Sequence, residues 1–253
     1  MSTTHRLATS LAAALALACA TSAHAIEVTY NFSGKVAMLP PPMSAHIVTA
    51  GFSTLGIDAG DAITGTFTYE TVAADTSPMP AIGFFANTLR DFSVTIEGHT
   101  WSLVQQPNTN YVQVDNDDQI PAFVAVNPGY YADRLTIGTT ALDGPAPSTL
   151  GAQPVSSASL ELLFSAVTPT PSNTPFANAN PPESLDLSQF SLLHQGYITY
   201  TFFDESNRFR SELIRFDIDS LSPAAPVPEP STIASMVGGL GVLAAWGARR
   251  RRR

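Results

Sequence analysis

Cysteine is almost absent, since Cys19 is the single one in 253 residues. No intramolecular disulfide, no zinc-binding cysteine pair and no Cys-x-x-Cys redox motif is available to this chain. Basic residues are few as well, with 12 Lys and Arg against 21 Asp and Glu and a formal net charge of −9. That balance removes the electrostatic footprint nucleic acid requires. Charged residues make up only 13% of the chain and hydrophobic ones 44%, too apolar for a disordered acidic tail. Also missing are a Gly-x-Ser-x-Gly elbow, a His-Glu-x-x-His zinc pair and a glycine-rich phosphate loop.

What is present begins with the two ends. Residues 1–25 carry His5 and Arg6, then the apolar run Leu7 to Ala20, then Ala23-His24-Ala25. A polar start, an apolar centre and a small-x-small site predict a secretory signal peptide cleaved after Ala25, with Ala23 and Ala25 as the small residues. Cys19 leaves with it. A lipid-modified Cys19 is the rival reading, but Leu17 stands one place too late for that signal.

The other end runs Val227-Pro228-Glu229-Pro230, then the apolar stretch Ile233 to Ala248, then Arg249, Arg250, Arg251, Arg252 and Arg253. Two prolines around Glu229 hold the segment extended, a form an enzyme cleft can grip. Sixteen apolar residues make a helix of roughly 24 Å, just enough to cross a hydrocarbon core of roughly 30 Å with help from its flanks. Five arginines fix their end on the cytoplasmic side and leave the body outside. An ordinary C-terminal anchor is the alternative, although it does not call for the proline pair.

The order of Pro228-Glu229-Pro230, a short apolar helix and an arginine cluster, together with the signal peptide, resembles the PEP-CTERM sorting signal of Gram-negative bacteria. The same tail also goes by the name ice-binding protein C-terminal domain. The resemblance implies export through the Sec translocon, trimming by signal peptidase and passing anchorage in the inner membrane. Recognition by exosortase, a membrane transpeptidase, then delivers such proteins to the cell surface or the medium of bacteria that make exopolysaccharide. The expected organisation is a signal peptide at 1–25, an ectodomain at 26–222, a proline-rich stalk at 223–232, a transmembrane helix at 233–248 and a cytoplasmic tail at 249–253. Without Arg6 and the five terminal arginines, six of the twelve basic residues remain in the body against twenty acids, a net charge near −14.

The body reads as a single all-β domain, an antiparallel β-sandwich of jelly-roll type. Ile26, Val28, Tyr30 and Phe32 alternate with polar residues, as do Ile63, Gly65, Phe67 and Tyr69, and again Phe92, Val94 and Ile96. Gly98-His99 is expected as a two-residue turn into Thr100 to Val104, with Trp101 in the core. Further strands are expected at 111–114, 122–126, 134–138, 158–166, 197–203 and 209–218, the last two joined by the turn-forming set Asp204 to Asn207. Five prolines between Thr168 and Ser184 mark a surface loop, and Leu185 to Phe190 one helical turn packed against the sheet. Asn31 to Gly34, Gly60 to Tyr69, Phe92 to Ile96 and Phe216 to Ile218 resemble the recurrent β-rich ectodomain of PEP-CTERM proteins, for which no biochemical role follows.

Chemistry in the body is sparse. Asp115, Asp117 and Asp118, around Asn116, offer closely spaced oxygens of the kind a calcium ion takes. The segment departs from the EF-hand, with no glycine at the sixth place and Val126 at the twelfth, and the alternative is a turn whose Asp and Asn side chains bond their own backbone. Asp58-Ala59-Gly60-Asp61 reads the same way. His46, His99 and His194 are far apart, and His99 is expected as a solvated turn residue. Thr64, Thr66 and Thr68 form a polar row on one strand, too little for ice recognition. Trp101, Tyr111, Tyr130, Tyr131 and Tyr197 are the aromatics suited to sugars where exposed, Tyr130 and Tyr131 best of all. The resulting expectation is a noncatalytic surface or matrix protein with no obligatory cofactor. A glycan-active hydrolase or lyase on a jelly roll and a calcium-stabilised structural module are the alternatives.

Overall fold

The computed structural model describes residues 26–37, 50–119, 129–147, 155–173 and 175–224. The signal peptide with Ala23 and Ala25, His46, the strand expected at 122–126, the motif Val227 to Pro230, the helix expected at 233–248 and Arg249 to Arg253 lie outside these residues. Among the described residues no helix is long and apolar enough to cross a membrane. Chain contacts separate the residues up to Ser222 from those beginning at Pro223.

Among the described residues eleven strands carry the fold. They are β1 (Glu27–Val36), β2 (Ala62–Glu70), β3 (Ile82–Ala86), β4 (Leu89–Ile96), β5 (His99–Leu103), β6 (Asn110–Gln119), β7 (Tyr131–Thr139), β8 (Leu142–Asp143), β9 (Val155–Thr168), β10 (Leu193–Phe203) and β11 (Phe209–Pro223). Among the described residues the helical pieces are α1 (Ala50–Ser53) and a 3-10 turn at Leu187–Gln189. All-β architecture is therefore as expected, but the strands do not form two hydrogen-bonded sheets. They make one continuous antiparallel sheet in the order β3-β6-β7-β9-β10-β11-β1-β2-β4-β5-β8. Strand twist lets a sheet this wide curl, so that one face encloses the core by itself.

The alternating pattern locates that face. Tyr30, Phe32, Ile63, Phe67, Tyr69, Phe92, Val94, Ile96 and Trp101 are buried from the first half of the chain, and Leu160, Leu162, Phe164, Ile214, Phe216 and Ile218 from the second. The core is rich in aromatics: Tyr30 and Phe67 stack with centroids 5.4 Å apart, and Phe32 and Phe216 lie almost parallel at 6.4 Å. Phe32 also overlies Gly65, where a Cβ would strike its ring, so this strand glycine admits a neighbour's aromatic side chain.

The β4–β5 turn departs from expectation by one residue. Ile96 pairs with His99, so Glu97 and Gly98 form the turn, with φ of 48° and 78°. A tight hairpin whose twist matches its strands needs left-handed backbone at both central positions, and glycine supplies one of them without strain. Strand β3 and the two-residue β8 went unread in the sequence. Leu187–Gln189 is the expected helical turn; Asp186 caps it by accepting the Ser188 N–H at 3.0 Å, and Phe190 is buried.

Candidate functional site

The acidic segment of β6 sits at a β-bulge. Asp115 pairs with Arg134 and Asp118 with Ala132, so β6 spends three steps where β7 spends two, and Asp117 takes a positive φ of 52°. The bulge sends the three carboxylates to different partners. Asp115 is 2% exposed, accepts from Gln113 Nε2 at 2.8 Å and pairs with Arg134 Nη2 at 2.7 Å. The same Nη2 reaches Asp118 at 3.0 Å. Asp117 turns the other way, its Oδ1 accepting the Ser172 N–H at 2.8 Å while its own N–H donates to Asp133 Oδ1 at 2.7 Å. A guanidinium thus stands between two of the three carboxylates considered for calcium, and the third orders a loop. Among the described residues no group of three or more His, Cys, Asp or Glu is arranged to hold a metal ion.

Asp133 was not singled out in the sequence. It lies buried beside the bulge, and burial pushes its carboxyl up to about 6, against the opposing hydrogen bonds from the N–H groups of Asp117 and Phe176. With Asp117 it ties down the proline-rich segment that follows β9. Phe176 is buried against Phe190 at 5.7 Å, Tyr69 donates its hydroxyl to the Pro182 carbonyl at 2.7 Å, and the Leu185 N–H donates to Tyr30 Oη at 2.7 Å. The loop is on the surface as expected, but it is pinned to the core. Between it and Thr71–Ala73 runs a cleft of about 560 Å³, in which Glu183 is the one charged residue among the described lining residues.

Other residues considered in the sequence take structural roles. Asp58 and Asp61 close a turn, the Asp58 N–H donating to Asp61 Oδ2 at 2.6 Å. His99 is not a free turn residue: it opens β5 with Nε2 3.1 Å from the Leu55 carbonyl and its ring 6.3 Å from Trp101. His194 Nδ1 meets the Ile218 carbonyl at 2.6 Å. Trp101 is fully buried and donates Nε1–H to the Pro145 carbonyl at 3.0 Å. Register aligns Thr64 with Ser33 and Thr95, and Thr66 and Thr68 bond the hydroxyls of Ser93 and Thr29. These contacts across neighbouring strands account for the threonine row.

The aromatics divide. Tyr130 is 40% exposed and Tyr131 begins β7, half-buried. Tyr111 and Tyr197, on strands far apart in sequence, fall in one cross-strand row on the face opposite the core. Pairing runs Tyr111 to Gly138, Gly138 to Glu161, Glu161 to Tyr197 and Tyr197 to Arg215. Tyr111 Oη donates to Glu161 Oε2 at 3.2 Å, and Gln195 Nε2 donates to Tyr197 Oη. Burial raises the Glu161 carboxyl, partly offset by the Tyr111 hydrogen bond, and burial with the adjacent carboxylate raises the Tyr111 hydroxyl. Glu161 escaped the sequence reading because it is one polar position in an ordinary alternating strand. Only strand order puts it between two tyrosines.

No curated protein and no solved structure matches the chain. A family model does match its C-terminal end, over residues 226–252, and that stretch holds Pro228-Glu229-Pro230, the apolar segment and four of the five terminal arginines. The chain therefore carries a PEP-CTERM protein-sorting motif at residues 226–252, the mark of an exported, exosortase-targeted protein.

Proposed function

We propose that this protein is a noncatalytic component of the cell surface or extracellular matrix, delivered by exosortase and acting through contacts with exopolysaccharide. The sorting motif at 226–252 is the observation that carries the reading. Residues 1–25 direct Sec export, and signal peptidase cuts after Ala25. The stretch 233–248 then holds the chain in the inner membrane with Arg249 to Arg253 inside, until exosortase recognises Val227-Pro228-Glu229-Pro230 and processes the tail. The catalytic group belongs to that partner.

The test is to change Pro228, Glu229 and Pro230 to alanine in an exosortase-bearing host and follow the protein through cell fractions. The variant should accumulate in the inner membrane at full length. Release equal to that of the unaltered chain would sink the sorting step. Cosedimentation of the released protein with the host's own exopolysaccharide tests the second half of the reading, and failure to cosediment would remove it.

A further inference from the structure

The row Tyr111, Gly138, Glu161, Tyr197 and Arg215 runs across five neighbouring strands on the side of the sheet away from the core. Its members alternate with Val112, Ile137, Leu160, Leu162, Ile198, Ile214 and Phe216, which all point inward. Two tyrosines, a carboxyl group and a guanidinium are therefore set on one surface by register alone. Position 138 has a specific part in this. A Cβ there would lie 2.7 Å from Tyr111 Cζ and 2.8 Å from its Oη, so the absent side chain lets the phenol lie over β7 and reach Glu161. Phe84 stacks beside it with centroids 5.3 Å apart, which broadens the aromatic platform. On the far side of Glu161 stands Tyr197, half-buried, and then Arg215, whose Nε is buried and whose Nη2 lies 3.7 Å from Asp217 Oδ1.

These groups have the chemistry of sugar recognition. Ring faces accept the apolar C–H faces of pyranoses, while a carboxyl and a guanidinium satisfy hydroxyls and ring oxygens in both hydrogen-bonding senses. Three strand spacings separate β6 from β10, roughly 14 Å from backbone to backbone. The reach of Tyr111 over β7 narrows the gap between the rings to a span that a short oligosaccharide bridges. Charge selects among glycans. The body carries six bases and twenty acids, and the row itself pairs one acid with one base, so a polyanion is repelled by the whole and gains nothing at the site.

We infer that this row is a binding site for an uncharged polysaccharide, with Tyr111 and Tyr197 as stacking platforms and Glu161 and Arg215 as the hydrogen-bonding groups between and beside them. The inference deepens the exopolysaccharide reading above and rests on it, and it adds the surface and the charge class of the glycan.

The experiment is affinity electrophoresis of the full chain, kept in neutral detergent, through native gels cast with mixed-linkage β-glucan, galactomannan or dextran, with alginate as the polyanion. At least one neutral polymer should retard the protein while alginate does not. Tyr111→Ala, Tyr197→Ala and Glu161→Gln should each weaken retardation by about fivefold or more, and Tyr197→Phe should stay within about twofold. Near-ultraviolet circular dichroism checks that each variant is folded, and Glu161→Gln, nearly isosteric, tests the row even where an alanine variant unfolds. Retardation that none of the variants changes would overturn the site and leave the matrix reading standing. So would retardation by alginate alone, or cosedimentation with the host exopolysaccharide without retardation in any neutral gel. Failure in the gels and with the host polymer together would remove both.

Discussion

Tyr69 in β2 donates its hydroxyl to the carbonyl of Pro182, 113 positions further along, across 2.7 Å. The tyrosine is fully buried and the proline belongs to the segment between β9 and β10, so one hydrogen bond fastens that proline-rich excursion to the core. Burial, with a smaller contribution from neighbouring Tyr30, raises the Tyr69 hydroxyl well above its ordinary value, which keeps it a donor at any physiological pH. Tyr69→Phe removes the donor while preserving the ring. It should cost about 1–2 kcal/mol in urea unfolding, with the added effect of faster amide exchange at Leu185, whose N–H is held by Tyr30 in the same region. Unchanged stability and exchange would mean that the loop is held without this bond.

Asp133 makes stability depend on pH in a stated direction. Its carboxyl titrates at about 6 in the folded protein and near 3.8 when released, so between these values the native state binds the extra proton. Stability should therefore rise as pH falls from 7.5 to 5 and decline as pH climbs through 6. The expected gain in melting temperature is about 2–6 °C. Asp133→Asn should flatten this dependence relative to the unaltered chain, since Glu161, also raised, contributes in the same direction in both proteins. Equal slopes in the two melting series would contradict the assignment.

Arg134 holds the acidic bulge together, and its loss should be felt mainly by Asp115. With Asp115 2% exposed, Arg134→Ala strands a buried carboxylate and should cost about 2–4 kcal/mol, whereas Asp118→Asn, at a more exposed partner, should cost under about 1 kcal/mol. Because the guanidinium already balances Asp115 and Asp118, removing calcium with a chelator should shift the melting temperature by less than about 1 °C. A clear drop on chelation would favour the calcium-stabilised alternative.

Gly138→Ala probes the platform from below. The new methyl group falls against the phenol end of Tyr111, so the ring must swing away and the hydrogen bond to Glu161 must break. We expect a loss of about 1–2 kcal/mol together with a downward shift of the Tyr111 hydroxyl titration as the ring becomes solvated, followed by ultraviolet absorbance at 295 nm. A variant with the native tyrosine titration would show that the ring does not rest on position 138.

Much of this protein is set by its sequence alone. The two-residue period in β1, β2, β4, β9 and β11 names most of the inward residues, because a strand buried on one side has only one way to hide its apolar positions; Ile26, just ahead of β1, is instead 53% exposed, and Thr68, expected on the outer face of β2, is buried. The sorting motif is equally local: a proline pair, an apolar stretch and an arginine cluster are contiguous, and a contiguous signal can be read without folding the chain. Strand β3 escaped because Gly83 interrupts its hydrophobic run, and the β4–β5 turn slipped by one residue because nothing in Glu97 announces a positive φ. Tertiary structure decided the rest. Whether the strands formed two sheets or one, and which side chains became neighbours on the outer face, depended on strand order and register between segments more than 150 residues apart, as β1 and β11 are. Asp115 found Arg134 through that register, the proline-rich loop found Tyr69 and Tyr30, and Glu161 came to lie between Tyr111 and Tyr197. Such pairings follow from packing and hydrogen-bond satisfaction across the whole sheet, which no local pattern of residues encodes.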